Sequence, residues 1–444
     1  MTAIPGPKGG LLLGSLREAR ARPLEMMLEV TRQYGDLVQL RLGPMRMIIV
    51  NHPDHVKRVL LDNQANYGRP AFVPMIRKLV GNGLLFSEGP FWLRQRRIMQ
   101  PMFHRERIAG FARTMGDAVN ARVQAWRAAP GTVDVTRAMA ELTFEIVGRT
   151  LFSTDLTREA AELGDAIQFT LYWLDQRTVQ PLAAPLFVPT RDNLRFRAVQ
   201  KLFAETIGQM IAARRNGGEQ PDLLSMLMAA RDPDNGEAMS DKQLHDEVLV
   251  FLIAGYETTS AALEWTLCLL AQHAKVVDRL REEQRAICAD SPPNLEQLSR
   301  MPYTRAVIDE ALRLYPPVYG LSRSVNADDE LAGYRIPKGT QLLVSPYAMH
   351  RHPEFWPNPD AFDPERFLGE HAGKQLRYAY FPFGGGPRQC IGNAFAMLEL
   401  QILVPTLIGA LQFELEDQAP IVAQPRMTLR PRGPVRMRVR GCPS

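Results

Sequence analysis

Phe383-Gly384-Gly385-Gly386-Pro387-Arg388-Gln389-Cys390-Ile391-Gly392 is the stretch on which the reading of this chain turns. Glycine loses more conformational freedom on ordering than any other residue. Three in a row make sense only where the backbone bends tightly or comes very close to something else. Beyond Gly392, residues Asn393 to Ile408 carry helical spacing, which puts Cys390 near a helix N-terminus. Free N–H groups and the helix dipole there stabilise a thiolate. A thiolate serves as a soft metal ligand or as a nucleophile. The nucleophile needs a base, for which His350 and His352 are candidates, although nothing in their spacing brings them to Cys390. A small buried structural cysteine is the remaining possibility.

Working back along the chain, four more segments carry chemistry. Glu310-Ala311-Leu312-Arg313 spaces a carboxylate and a guanidinium at i,i+3 on a helix, where they can pair. Ala254-Gly255-Tyr256-Glu257-Thr258-Thr259 sets two small residues beside an acid and a hydroxyl. Gly255 weakens a helix locally, Ala254 leaves room, and Thr258 and Glu257 can move protons. Trp92 and Arg96 stand at i,i+4, on one face of a helix. The fourth is Pro364-Glu365-Arg366-Phe367.

Asp36–Leu42 and Met45–Val50 are expected as two strands turned at Gly43-Pro44. From about Pro90 to the low 330s the pattern is mostly helical. A capping box at Ser240-Asp241-Lys242-Gln243 opens a long helix expected to run to about Gln272 and to cross the body of the protein. A helix over Pro302–Leu314 is stopped by Pro316-Pro317. Tyr334–Pro337 and Gln341–Ser345 flank a Lys338-Gly339 turn, and Thr428–Arg440 suggests a second small hairpin. Met349–Gly386, rich in Pro, aromatics and Gly, is a loop long enough to imply function. The expected fold is mainly α, a large helical lobe with a small β-rich lobe in one domain, 1–444.

Phe383, Gly386, Arg388, Cys390 and Gly392 fill FxxGxRxCxG, and the chain here resembles the cytochromes P-450. The other segments match that family's ExxR, PERF, AGx(D/E)T(T/S) and WxxxR motifs in its order, so the resemblance covers essentially the whole chain. It implies haem b (iron protoporphyrin IX) on the Cys390 thiolate, with Phe383 and Gly386 shaping the loop. Trp92, Arg96, Arg323 and Arg388 are implied as propionate partners, and Glu310, Arg313 and Arg366 as a buried cluster locking the loop before the cysteine. Glu257 and Thr258 are implied as the proton-delivery pair for a monooxygenase that activates O2 and hydroxylates or epoxidises a lipophilic small molecule. The apolar pocket is expected from Leu84, Leu85 and Phe86, Phe251 and Ala254, and Val318 and Tyr319. A terpenoid, steroid, polyketide or fatty acid fits such a lining. A gas-sensing haem protein would need no such pocket, and a rearranging haem-thiolate enzyme no proton pair.

The 444 residues are 45% hydrophobic and 23% charged, ordinary globular composition. The net charge of +5 is spread as Arg along the chain, which argues against nucleic acid. Four cysteines without a CxxC pair suggest a reducing compartment, hence a cytoplasmic protein. No run approaches the ~20 apolar residues that cross a bilayer, so Pro5-Gly6-Pro7 resembles the hinge of membrane-anchored relatives without their anchor. No reductase region follows, so a separate ferredoxin or flavodoxin with its reductase is the expected electron source, and the chain is expected to be a monomer. Arg94, Arg97, Arg105 and Arg107 are the expected docking patch for that acidic partner.

Overall fold

A computed structural model describes residues 3–442 apart from 11, 71, 155–159, 180–183, 233–235, 290 and 372–375. The chain divides into two compact units, one of residues 1–71 and 306–391 and the other of 72–305 and 392–444.

The first unit is built on a five-stranded sheet. Leu37–Leu42 and Met45–Val50 form the expected antiparallel hairpin, with Gly43 supplying the positive φ of the turn. Gln341–Val344 then lies parallel to Met45–Val50, Leu321–Val325 antiparallel to that, and Tyr67–Gly68 at the edge. Leu37, Ile48, Val50, Leu60, Leu342, Val344, Tyr378 and Phe381 close a core against it. The expected partnership across Lys338-Gly339 does not form. Tyr334–Ile336 pairs instead with Asp329–Leu331, around Ala332 and Gly333, both at positive φ. That two-residue turn matches the natural twist of a hairpin. Gln341–Val344 is drawn into the larger sheet because Leu342 and Val344 are fully buried there.

The second unit is a helical body. The capping box forms as expected, with Ser240 N–H donating to Gln243 Oε1 and Gln243 N–H to Ser240 Oγ. The helix it opens, Asp241–Leu270, is 30 residues long, about 45 Å at 1.5 Å per residue. From Asp246 onward every residue is buried except Ile253, Ala254, Gly255 and Thr258. The helix packs on Val135–Leu151. Asn393–Ala410 is apolar and long enough to cross a bilayer, but 72% of it is buried among its neighbours, the environment of a core helix. Thr428–Arg440 is not one hairpin. Leu429–Pro431 pairs back with Ala423–Pro425, while Arg436–Gly441 lies between Gly131–Asp134 and Leu411–Leu415. Pro431 and Pro434, with Gly433 at φ +81°, break the strand between the two partnerships.

Candidate active site

The glycines before Cys390 are spent on turning and on close approach. Gly384 and Gly386 sit at φ +71° and +67°. A Cβ on Gly386 would stand 1.8 Å from the Leu60 carbonyl oxygen, and one on Gly385 2.4 Å from the Tyr378 ring. No other residue type fits at Gly386. The loop then closes on itself: Cys390 N–H donates to the Phe383 carbonyl (3.0 Å) across the short turn Gly386–Arg388. The Cys390 side chain ends exposed, whereas Cys268 and Cys288 are buried, and burial pushes both of those thiols up. Among the described residues, no three His, Cys, Asp or Glu side chains converge as a metal site. A metal on Cys390 would therefore bring its other ligands with it.

Behind this loop lies the expected lock. Arg313 grips Glu310 with two hydrogen bonds of 2.6 and 2.8 Å, both side chains wholly inaccessible, and Arg366 Nε stands 3.4 Å from Glu310. The remaining Arg313 donors go to the carbonyls of His350, Pro359 and Ala361, and Asp363 N–H donates to Glu310. Arg366 donates to the Asn358 carbonyl. The cluster thus staples the non-periodic stretch that precedes the cysteine, of which residues 372–375 lie outside the described set.

His350 belongs to the same staple and is no base for Cys390. Its Nε2 accepts from Phe381 N–H (2.9 Å), and Nδ1 faces the Arg313 carbonyl (3.2 Å), which leaves the ring neutral. His352 is engaged with Asp36. Burial, and then the Arg313 charge, push His350 from 6.5 down to about 3. A folded-state pKa below the unfolded one means the unfolded chain takes up the proton first as pH falls. Stability is thus intact above about pH 6.5 and drains away below it. From about pH 7 to about pH 5 this group removes about 2 kcal/mol, at 1.36 kcal/mol for each of the roughly 1.5 pH units below 6.5. Denaturant unfolding at the two pH values should show wild type losing about 2 kcal/mol more stability between them than His350→Asn does.

In this same unit Arg323 is buried, and its Nη1 donates to the Ser322 carbonyl (2.9 Å). Burial and the charge of Arg69 push it down to about 10. Among the described residues no carboxylate pairs with it, an arrangement suited to an anionic ligand. Arg388 is half-buried in the turn before Cys390.

In the second unit, Trp92 is buried and Arg96 half-buried on the helix Gly89–Met99, with Arg96 Nε donating to Gln100 (2.7 Å). Arg94 is not an available docking cation. It pairs with the buried Asp232 and, at 3.8 Å, with Glu237. Arg97, Arg105 and Arg107 are exposed.

On the long helix, Ala254, Gly255 and Thr258 make up most of the accessible patch. Thr258 Oγ1 donates to the Ala254 carbonyl (2.8 Å), leaving its lone pairs to accept. Gly255 serves packing more than flexibility: a Cβ there would meet Val147 at 3.0 Å. Glu257 does not share the patch with Thr258. It is 4% exposed and accepts from Thr428 (2.6 Å), Gln168 (2.6 Å) and Arg430 (3.0 Å). Arg430 also binds Glu264 (3.0 Å), two turns further along, and Thr136 donates to Glu264 as well. Consecutive helical residues diverge by about 100°, which separates the acid from the hydroxyl. Sequence reading missed Gln168, Glu264, Thr428 and Arg430. The i,i+7 spacing of the two glutamates was a visible sign of a shared face, but nothing local marks Arg430 as their partner.

Of the expected pocket residues, Leu84 and Phe251 are buried, Phe251 stacked on Phe103 at 5.4 Å. Phe86 and Tyr319 are half-buried, whereas Leu85 and Val318 are exposed.

An exposed cysteine thiol, in one unit with a buried guanidinium that has no carboxylate partner among the described residues, could hold a haem through its iron and a propionate. The cytochrome P-450 family model matches residues 4–439, and the chain belongs to that family. It is 35% identical to cyclooctatin synthase of Streptomyces melanosporofaciens over 432 residues, 97% of this chain and 94% of that protein. Cyclooctat-9-en-7-ol 5-monooxygenase of the same organism is 36% identical over 89% of this chain and 86% of its own length. Pentalenene oxygenase of Streptomyces avermitilis is 32% identical over 95% and 94%. The haem domain of cytochrome P-450DA superposes with a TM-score of 0.90, at 28% identity, covering 100% of this chain and 98% of that one. The chain therefore has the P-450 fold and is an oxidoreductase of the monooxygenase type.

Proposed function

We propose that this protein hydroxylates or epoxidises a lipophilic terpenoid, using haem b held by Cys390. The observation that carries this reading is the exposed Cys390 thiol on a loop held by close packing at Gly385 and Gly386 and by the Cys390 N–H to Phe383 carbonyl bond. When bound, the haem supplies O2 activation, helped in this family by electron density pushed from its thiolate. Phe383 and Gly386 hold the loop, and Trp92, Arg96, Arg323 and Arg388 would bind the propionates. A terpenoid is favoured over a steroid, polyketide or fatty acid because relatives are named for oxidising cyclooctat-9-en-7-ol and pentalenene. The expected lining of Leu84, Leu85, Phe86, Phe251, Ala254, Val318 and Tyr319 offers no charged anchor. A spectral titration of the haem-loaded protein against cyclic terpenes and fatty acids tests this. Terpenes should give the blue shift of a displaced water ligand, and a response to fatty acids alone would overturn the substrate class.

Thr258 would steady the proton on its way to the reacting oxygen, its own hydroxyl proton being parked on the Ala254 carbonyl. Glu257 would supply protons after its carboxylate leaves Arg430. Thr258→Ala is expected to retain haem and substrate binding while sending most reducing equivalents to hydrogen peroxide. Product formed per NAD(P)H consumed should fall by about tenfold or more, a positioned proton-transfer group being worth roughly 10²–10⁴-fold in rate. Unchanged coupling would remove Thr258 from the step.

The chain would act in the cytoplasm as a monomeric haem domain, with electrons arriving from a separate ferredoxin or flavodoxin. Arg94 is held by Asp232, and the basic docking face would draw on the exposed Arg97, Arg105 and Arg107. Charge reversal at Arg105 should slow reduction by an acidic ferredoxin several-fold at low salt and leave the CO spectrum unaltered. Stopped-flow reduction rates against ionic strength measure it.

A further inference from the structure

The segment Gly81–Ser87 carries three of the expected pocket residues, and two consecutive carboxylates on the long helix hold its backbone. Asn82 N–H donates to Asp246 Oδ2 (2.8 Å), and Leu84 N–H donates to Glu247 Oε2 (2.8 Å). Side chains one residue apart on a helix diverge by about 100°. The two acids can therefore take two amides spaced along one strand of backbone. The fit is close enough to demand glycine on either side of Asn82. A Cβ on Gly81, at φ +91°, would lie 2.4 Å from Asp246 Oδ1, and one on Gly83 2.7 Å from Val250 and 2.8 Å from the Asp246 carbonyl.

The two carboxylates differ in their surroundings. Asp246 also accepts from Lys242 Nζ (3.0 Å) and stands 3.7 Å from His245 Nδ1, so it has cationic support. Glu247 is 1% exposed, and the Leu84 amide is its single hydrogen-bond donor among the described residues. Burial pushes the Glu247 carboxyl up to about 8. Either protonation state keeps an oxygen able to accept the amide. A buried acid of this kind is costly and is kept where a specific backbone group needs an acceptor. Further along, Phe86 N–H and Ser87 N–H turn back onto the Gly83 carbonyl, and Arg77 Nη2 holds the Phe86 carbonyl (2.9 Å).

We propose that Asp246 and Glu247 are positioning residues that latch the Gly81–Ser87 segment to the long helix and thereby set which substrates the site accepts. Glu247 lies one turn before Phe251 and two before Ala254, so the latch fixes the axial position of Leu84 and Phe86 along the helix that carries Thr258. Releasing it lets the segment slide or lift, without touching Cys390 or the Glu310–Arg313 lock. The inference rests on the proposed place of Leu84 and Phe86 in the substrate pocket.

The test compares haem-loaded wild type, Glu247→Ala and Glu247→Gln, with the reduced CO spectrum as the check on haem ligation. Hydrogen exchange across residues 79–90 should speed about tenfold in Glu247→Ala, the loss of one buried hydrogen bond to an acid. Glu247→Gln keeps an acceptor oxygen and should exchange as wild type does. Two azoles then probe the site optically: imidazole, the small parent ring, and clotrimazole, which carries the same ring on a bulky triaryl body. Clotrimazole affinity should fall about fivefold in Glu247→Ala and recover in Glu247→Gln, with imidazole unchanged in both, as a displaced lining group implies. Glu247→Asp, one methylene shorter, carries the same measurements should the alanine variant not load haem. Unaltered exchange in the truncated variant overturns the latch. Faster exchange with an unaltered ratio of azole affinities overturns instead the place of this segment in the pocket.

Discussion

Cys390→Ala is expected to abolish the red-shifted Soret band of the reduced, CO-bound protein and with it all oxygenation. The shift comes from thiolate donation to iron, and no other cysteine can stand in. Cys268 and Cys288 are buried with their thiols pushed up, and Cys442 is half-buried just after the strand Arg436–Gly441, its sulfur 4.0 Å from the Ile408 carbonyl. The geometry that presents Cys390 does not depend on its own side chain. Gly386 packs on Leu60, and the Cys390 N–H to Phe383 bond is made by backbone. The alanine protein should therefore fold, and any haem it retains should show the spectrum of a different axial ligand. A retained band would show that the thiol is not the ligand.

Glu310→Ala and Arg313→Ala should each cost about 3–5 kcal/mol, the usual penalty for stranding one member of a buried pair. Against a total stability of about 5–15 kcal/mol, little haem-loaded protein should be recovered. The two are not equivalent. Without Arg313, Glu310 can take up a proton, a change that burial already favours, and it keeps the Asp363 amide and the nearby Arg366. Without Glu310, Arg313 cannot shed its charge and keeps three carbonyls and the face of the Trp356 ring, with no carboxylate within hydrogen-bond reach among the described residues. Glu310→Ala is thus the more damaging change. Yield of haem per polypeptide and denaturant midpoints for both variants measure the order. Ordinary stability in either would place the pair's worth near that of a surface bridge.

Local signals were legible where one residue type at one position had one physical meaning. Ser240 with Gln243 announced the long helix, Gly43 the first hairpin, and Pro316-Pro317 the end of the Glu310 helix. The glycines before Cys390 declared a close approach, although not that Leu60 and Tyr378 were the groups approached. Beyond that first hairpin, strand partners were not legible. A short apolar run such as Gln341–Val344 carries no mark of which sheet will accept it, and it paired with Met45–Val50 rather than its neighbour.

The same division runs through the chemistry. The amino-acid sequence alone determined the family, the tight loop that presents Cys390 and the Glu310–Arg313–Arg366 cluster. Those rest on short motifs whose spacing on a helix or loop nearly dictates their geometry. Only the tertiary structure decided which way the charges point. It turned Glu257 away from Thr258 onto Arg430, closed Arg94 against Asp232, made His350 a neutral brace, and set Asp246 and Glu247 on the backbone of Asn82 and Leu84. The partners in those pairs lie from 31 to 173 residues apart in the chain. A buried charge must find some partner, because leaving it bare costs more than the fold can spare. Which partner it finds depends on where the chain returns, and that is settled by packing far from either residue.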